Sequence, residues 1–268
     1  MTGAGNERRI MITIAHGDYA SLAKDYSAYR SGYSERVLEG ILSFVGKPPG
    51  DIDFVDVGAG TGIWSRMVSK KGCRTIAIEP NVEMRKHGIR DSEETDILWI
   101  SGDAESTGLS ENAADLITMA SSFHWADFDR AIKEFYRVLR SDGWFAALWN
   151  PRLVESNPML VEIENKLKEI VPDLKRISSG KSEFCNNLTE RLLGSGKFID
   201  VIYMEATHIE RMTPDRYIGI WKSVNDVRVQ AGPKKCAVFL DYIRGHVQGH
   251  EYIDSTYLTR AWVAKKNG

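Results

Sequence analysis

The chain has 268 residues, 43% of them hydrophobic and 27% charged, with a formal net charge of -2. That is enough length for one open α/β unit with a sizeable core, and the ordinary composition excludes a disordered chain. The balanced charge offers no general pull toward phosphate backbones, and no apolar run approaches the ~18 residues of a membrane helix.

The apolar patch Ile10–Ala15 is too short for the core of a signal peptide, so a cytoplasmic protein is expected. The three cysteines, Cys73, Cys185 and Cys236, are widely spaced and form no C-x-x-C, which argues for reduced, mostly buried thiols rather than disulfides or structural zinc.

Residues 1–17 read as a loose leader. Residues 18–45 read as helical, with Tyr19, Leu22, Ala23 and Tyr26 on one face and Val37, Ile41 and Leu42 on a later one. The run Lys47-Pro48-Pro49-Gly50 breaks that pattern. Strands are then expected at Phe54–Val57, Arg74–Ile78, Ile97–Ile100, Asp115–Met119 and Trp144–Trp149. Helices fall between them near 61–71, after Pro80-Asn81, and at 126–140, where Phe128, Ala131, Ile132, Phe135, Val138 and Leu139 keep helical spacing until Ser141-Asp142-Gly143. Beyond these come interrupted helix over 157–195, a strand at Phe198–Thr207, a helix opened by Thr213-Pro214, a helix at about 234–248, and a last strand at Tyr257–Ala264. Alternating strands and helices mean βαβ units, a mostly parallel sheet, and ligands at the strand C-terminal edge.

The segment Val55-Asp56-Val57-Gly58-Ala59-Gly60-Thr61-Gly62 turns a strand into a helix with glycines that let backbone N–H groups approach a ligand. Glu79 closes the next strand about 20 residues further on, which suits a carboxylate taking both ribose hydroxyls. A dinucleotide fingerprint would place its third glycine at 63, but that position is Ile63 and the third glycine is Gly62, so NAD is disfavoured.

This D-x-G-x-G-x-G loop resembles motif I of class I S-adenosylmethionine-dependent methyltransferases. The likeness continues in Glu79-Pro80-Asn81-Val82-Glu83-Met84, Gly102-Asp103-Ala104-Glu105, Asp115-Leu116-Ile117-Thr118 and Phe135–Gly143, where Ser141 and Asp142 replace the usual Pro and Gly. It covers roughly residues 20–150 and is closest to the small-molecule branch called type 11. The resemblance implies a Rossmann-like, doubly wound, mostly parallel seven-stranded sheet with helical lid inserts. By position it implies that Asp56, Gly58, Ala59, Gly60 and Gly62 hold the methionine end of S-adenosylmethionine and that Glu79 holds the ribose. Asp103 would accept from the adenine amino group, the Ala104 N–H would meet the ring, and Met84 would pack on its face; for Met84 plain core packing is an equal alternative. Pro80 and Ser121 fall on the same cofactor edge.

Tyr26-Ser27-Ala28-Tyr29-Arg30-Ser31-Gly32-Tyr33 resembles a family segment, Y-x-x-x-R-P-x-Y, that closes over the cofactor, which implies Tyr26 and Arg30 there, Arg30 toward the cofactor carboxylate, with a surface arginine an equal alternative for Arg30. After the fourth strand, Phe123-His124-Trp125 matches an F-H-W of many type 11 members. His124 has three readings: general base, substrate or cofactor-site contact, or structural residue. Tyr217, Trp221 and Tyr242 read as helical core before pocket lining.

The expected layout is a lid segment at 1–45, a cofactor-binding core at 46–150, and the rest of the sheet with substrate-cap helices at 151–268, all one unit. The expected activity is methyl transfer to the oxygen, nitrogen or carbon of a small molecule by a monomer or homodimer, with no nucleic-acid or membrane partner. The alternatives are an RNA or protein methyltransferase, or a non-catalytic cofactor-binding regulator on the same fold.

Overall fold

The apolar run after Gly143 lies inside the sheet, with a strand on either side of it. A computed structural model describes residues 23–175 and 183–268; the expected leader, Tyr19, Leu22 and part of the interrupted helical stretch lie outside them. In chain order the elements are α1 (Ala23–Tyr29), α2 (Glu35–Val45), β1 (Asp53–Val57), α3 (Ile63–Ser69), β2 (Arg74–Ile78), α4 (Val82–Asp91), β3 (Leu98–Ile100), β4 (Ala114–Ala120), α5 (Phe128–Val138), β5 (Leu139–Trp149), α6 (Pro158–Ile170), α7 (Leu188–Gly194), β6 (Phe198–Met212), α8 (Pro214–Lys222), α9 (Asn225–Val247) and β7 (Ile253–Lys266). The strands form one seven-stranded sheet in the order β3-β2-β1-β4-β5-β7-β6. Pairing is parallel from β3 through β5, and β7 runs antiparallel to both β5 and β6. This is the Rossmann-like sheet that the sequence predicts.

Helix starts follow capping chemistry. The Asn81 side chain accepts from the Glu83 and Met84 N–H groups, Asp127 from Arg130, Asn157 from Met159 and Thr213 from Arg216, each filling an orphan donor of a first turn. One apolar cluster lies under α5 and α7, around Phe123, Phe135, Phe145, Leu188 and Phe198. A second covers the other sheet face, where α2 and α3 pack Leu38, Ile41, Trp64 and Val68 on Phe54, Leu116 and Ala146. A third joins α6, α8 and α9 above the sheet edge, with Tyr217 and Trp221 fully inside it and Tyr29 of α1 packed against it. The inserts therefore form a helical cap, and the core reading of Tyr217 and Trp221 agrees with their burial.

β5 begins at Leu139 and β7 at Ile253, each several residues before the expected start, and the structure differs from the sequence reading elsewhere too. The expected helix over 18–45 is two helices, because Arg30–Ser34 leaves the helical path and Ser34 is extended. The helix expected at 234–248 is the second segment of α9; Gly232, at φ 71°, and Pro233 part it from a first segment beginning at Asn225, which the sequence reading did not expect. β6 runs on to Met212, because Arg211 and Met212 still pair with Asp254 and Ile253 of β7, although Thr207–Arg211 carries few apolar residues. Among the described residues no helix is long and apolar enough to cross a membrane.

Glycines at 62 and 88 share one neighbour. A Cβ at Gly88 would lie 2.1 Å from the Trp99 ring, and one at Gly62 would lie 2.7 Å from it. The β3 indole thus wedges between α4 and the start of α3, and only hydrogen fits on either side.

Candidate active site

The parallel strands align so that Val57 of β1 stands beside Ile78 of β2, and the turns that follow them open on one edge. At that edge lies a cavity of about 470 Å³. Its floor is the glycine loop. Gly58, Gly60 and Gly62 have φ values of 66°, 59° and 77°, a left-handed conformation that side chains with a Cβ adopt rarely. A Cβ at Gly58 would also come within 2.8 Å of Ser122. The loop is held from behind by Glu79: its Oε2 accepts from the Gly60 N–H at 2.8 Å and its Oε1 from the Asn81 N–H at 2.8 Å. Burial pushes the Glu79 carboxyl up from its ordinary value, and those two N–H groups and Arg85 oppose the shift.

The far end of the cavity is lined by Pro80, Met84, Asp103 and Ala104. Asp103 Oδ1 accepts from the N–H groups of Glu105 and Ser106, at 3.0 and 2.8 Å, which fixes the loop as an Asx turn. Its Oδ2 has no hydrogen bond among the described residues, and Asp103 lines the cavity.

A strap from the N-terminal side closes the top. Tyr26, Arg30, Ser31 and Tyr33 all line the cavity. The Tyr33 hydroxyl pairs with Ser121 Oγ at 3.0 Å, and Ser121, at φ 58°, is one of the few non-glycine residues in the left-handed region. Arg30 donates to the Ser223 hydroxyl and carbonyl at 3.0 and 2.9 Å, while its guanidinium lies over the Tyr26 ring. The Gly32 peptide is clasped to the sheet: its N–H donates to Glu210, and its carbonyl accepts from Asn150 Nδ2 at 2.7 Å and His208 Nε2 at 3.1 Å. Asn150 Oδ1 in turn accepts from Thr259, whose oxygen also takes the Ser34 N–H.

Three of the expected site residues stand behind the cavity wall. Asp56 is fully buried: Ser65 and Thr118 donate to its two oxygens at 2.6 and 3.2 Å, and Thr118 accepts from the Trp64 indole at 2.9 Å. Burial pushes its carboxyl up to about 7, against those two hydrogen bonds. Asp56 therefore shapes the loop and Trp64 instead of reaching the cavity. Gly62 lies under Trp99 at the start of α3. His124 sits on the single 3₁₀ turn Phe123–Trp125, whose Trp125 lines the cavity while His124 does not. The remaining expected residues, Tyr26, Arg30, Gly58, Ala59, Gly60, Glu79, Pro80, Met84, Asp103, Ala104 and Ser121, all line it.

The protonation state of His124 follows from its neighbour. The Trp149 indole N–H only donates, so His124 Nδ1, at 3.2 Å, must accept, and the proton sits on Nε2. Burial lowers the ring's pKa to about 4. In this state the imidazole offers a donor and no free lone pair, which runs against the base among its three readings. The sign for stability is definite. The unfolded histidine titrates near ~6.5. Between about 4 and about 6.5 the unfolded chain holds a proton that the folded chain lacks, so His124 erodes stability as pH falls through that window. His124→Gln, which keeps an acceptor for Trp149, is expected to flatten the acid limb of a melting-temperature profile; superimposable profiles would show that the ring is not held neutral.

Sequence reasoning missed Trp64, Asn150 and Tyr257 of the cavity wall. Asn150 follows β5 directly and Tyr257 lies within β7, beyond any motif, and only the sheet order brings them to this edge. Trp64 follows the glycine loop but reads as ordinary helix core.

The chain is similar in sequence and fold to known methyltransferases. Residues 55–147 match the family model described as a methyltransferase domain. An uncharacterized methyltransferase of Mycobacterium tuberculosis is 29% identical over 134 residues, 50% of this chain and 52% of that protein. A malonyl-[acyl-carrier protein] O-methyltransferase of Pectobacterium atrosepticum is 29% identical over 139 residues, 52% of each chain. The matched region thus spans about half the length of these curated relatives. Among solved structures, a candidate type II methyltransferase of Anaeromyxobacter dehalogenans superposes with a TM-score of 0.66 at 21% identity, covering 89% of this chain and 98% of that one. Residues 55–147 thus match a methyltransferase domain, and the fold around them is that of the superposed structure.

Proposed function

We propose that the protein transfers a methyl group from S-adenosylmethionine to a small-molecule acceptor. The observation that carries this reading is the cavity wall: Glu79 on the Gly60 N–H at one side, Asp103 with an open Oδ2 at the other, and the Arg30–Tyr33 strap above. These groups fit the cofactor's ribose, adenine and methionine ends respectively. The cofactor supplies an activated sulfonium methyl. The chain's part is to align an acceptor and exclude water, which the strap is placed to do. The small-molecule reading is supported by the 26–33 strap lining the cavity and by a net charge of -2, which offers no general attraction to a nucleic-acid backbone.

Calorimetry tests the cofactor half of the proposal. S-adenosylhomocysteine is expected to bind in the micromolar range and NAD not measurably; tight NAD binding with no heat from S-adenosylhomocysteine would overturn it. Incubation with methyl-labelled cofactor and a fractionated cell extract tests the acceptor half. Label is expected in the small-molecule fraction, and label confined to RNA or protein would refute it.

A further inference from the structure

The order of the strands divides the cavity in two. Its wall is built by Asp103 after β3, Glu79 after β2, Gly58 and Gly60 after β1, Ser121 after β4, Asn150 after β5 and Tyr257 of β7. Those strands lie side by side in the order β3-β2-β1-β4-β5-β7. The cofactor's adenine, ribose and methionine groups, as proposed above, take the places over β3, β2 and β1. The end over β4, β5 and β7 is left for the acceptor, and it spans two strand spacings, about 10 Å.

Hydroxyl groups dominate that end. Ser31 of the strap lines the cavity, is 8% exposed, and its Oγ makes no hydrogen bond. Tyr257 lines it as well, is 6% exposed, and its hydroxyl makes no hydrogen bond among the described residues. Tyr33 and Ser121 share one hydrogen bond at 3.0 Å; burial raises the Tyr33 phenol, so the pair keeps both protons and one O–H stays free to donate. One network brings these residues together. Gly32, between Ser31 and Tyr33, is held by Asn150 after β5 at 2.7 Å and by His208 of β6 at 3.1 Å, which seats the strap across β7. The Tyr257 ring stacks on that same His208, with centroids 5.6 Å apart. Buried polar groups in folded proteins are nearly always paired, so two orphan hydroxyls on one network, both lining a cavity, mark a place kept polar for a ligand.

We infer that Ser31, Tyr257 and the Tyr33–Ser121 pair form the acceptor-binding end of the cavity and take an uncharged, hydroxyl-bearing compound. This rests on the methyltransferase reading and specifies its acceptor. The distribution of charge selects the class. The acidic lining residues Glu79, Asp103 and Glu105 all follow β2 or β3. Arg30, the one cation in the lining, donates to Ser223 and lies over the Tyr26 ring. Arg152, which neighbours Tyr257, lies outside the lining, over the Trp221 ring and 3.7 Å from Glu164. An ionised acceptor would therefore be buried over β4, β5 and β7 without an opposite charge, which folded proteins avoid. The protein hydroxyls both donate and accept, and a substrate hydroxyl answers both.

The low-molecular-weight fraction of a cell extract, split by ion exchange into anionic, cationic and neutral pools, serves as the acceptor source with methyl-labelled S-adenosylmethionine. Wild type is expected to label the neutral pool. Ser31→Ala and Tyr257→Phe then remove one orphan hydroxyl each, and phenylalanine keeps the ring stacked on His208. Each variant is expected to raise the apparent KM for the neutral pool about threefold to tenfold, with kcat less affected. Calorimetry should give both a wild-type affinity for S-adenosylhomocysteine, and thermal melts should match or exceed wild type, because neither hydroxyl has a protein partner to lose. Unchanged KM in both variants would overturn the inference, as would a fall in melting temperature of more than about 4 °C in both, which would show hydroxyls that serve the fold. Wild type that binds S-adenosylhomocysteine but labels nothing in the neutral pool also overturns it, whereas wild type that binds no S-adenosylhomocysteine refutes the methyltransferase reading beneath it.

Discussion

Replacing Glu79 with alanine is expected to weaken S-adenosylhomocysteine binding by ~1–3 kcal/mol, because ribose hydroxyls lose charge-assisted acceptors. The structure adds a second consequence. The same carboxylate fixes the Gly60 and Asn81 N–H groups, so the glycine loop loses a tether as well as the ligand a partner. A modest fall in melting temperature should accompany the lost affinity. Glu79→Gln separates the two effects: its amide oxygen can keep one N–H tether while the charge is gone, so it is expected to restore more stability than affinity. An unchanged dissociation constant in Glu79→Ala, read by calorimetry, would remove Glu79 from the site.

Gly88→Ala is expected to destabilise the fold by about 2 kcal/mol, a fall of about 4–8 °C in melting temperature. Alanine normally stabilises a helix interior by up to ~1 kcal/mol over glycine. Here the added carbon would lie 2.1 Å from the Trp99 ring, and the clash decides the sign. Because Trp99 also presses on Gly62, a displaced indole disturbs the start of α3, and cofactor affinity should fall with stability. In a Trp99→Ala background the same substitution should become neutral or favourable, and that coupling is the check. Additive losses in the double variant would mean that Trp99 is not the obstacle.

Most of the sheet was legible because parallel strands buried on both faces read as short apolar runs, as at Phe54–Val57 and Trp144–Trp149. The glycine-loop side of the cavity was legible for a related reason. Backbone constraints of the glycine loop and the acid after the second strand are local, so Gly58, Gly60 and Glu79 declare themselves within one βαβ unit. What stayed hidden depends on distant chain segments. Asp56 carries a motif position, yet its burial follows from Ser65 and Thr118 closing on it. His124 has the right residue type for a base, but Trp149, on the neighbouring strand, dictates its tautomer. The clasp on Gly32 draws on Asn150, His208 and Glu210 from strands far along the chain, a convergence that no spacing rule reaches.

The arrangement of the cavity is tested most directly by a crystal structure with S-adenosylhomocysteine bound. The ribose hydroxyls are expected on the Glu79 carboxylate, the adenine between Met84 and Ala104 with its amino group on Asp103 Oδ2, and the amino-acid end beneath Arg30 and Tyr33 over Gly58 and Gly60. Ligand density elsewhere, or in this cavity with the ribose away from Glu79 and the adenine away from Asp103, would contradict the account.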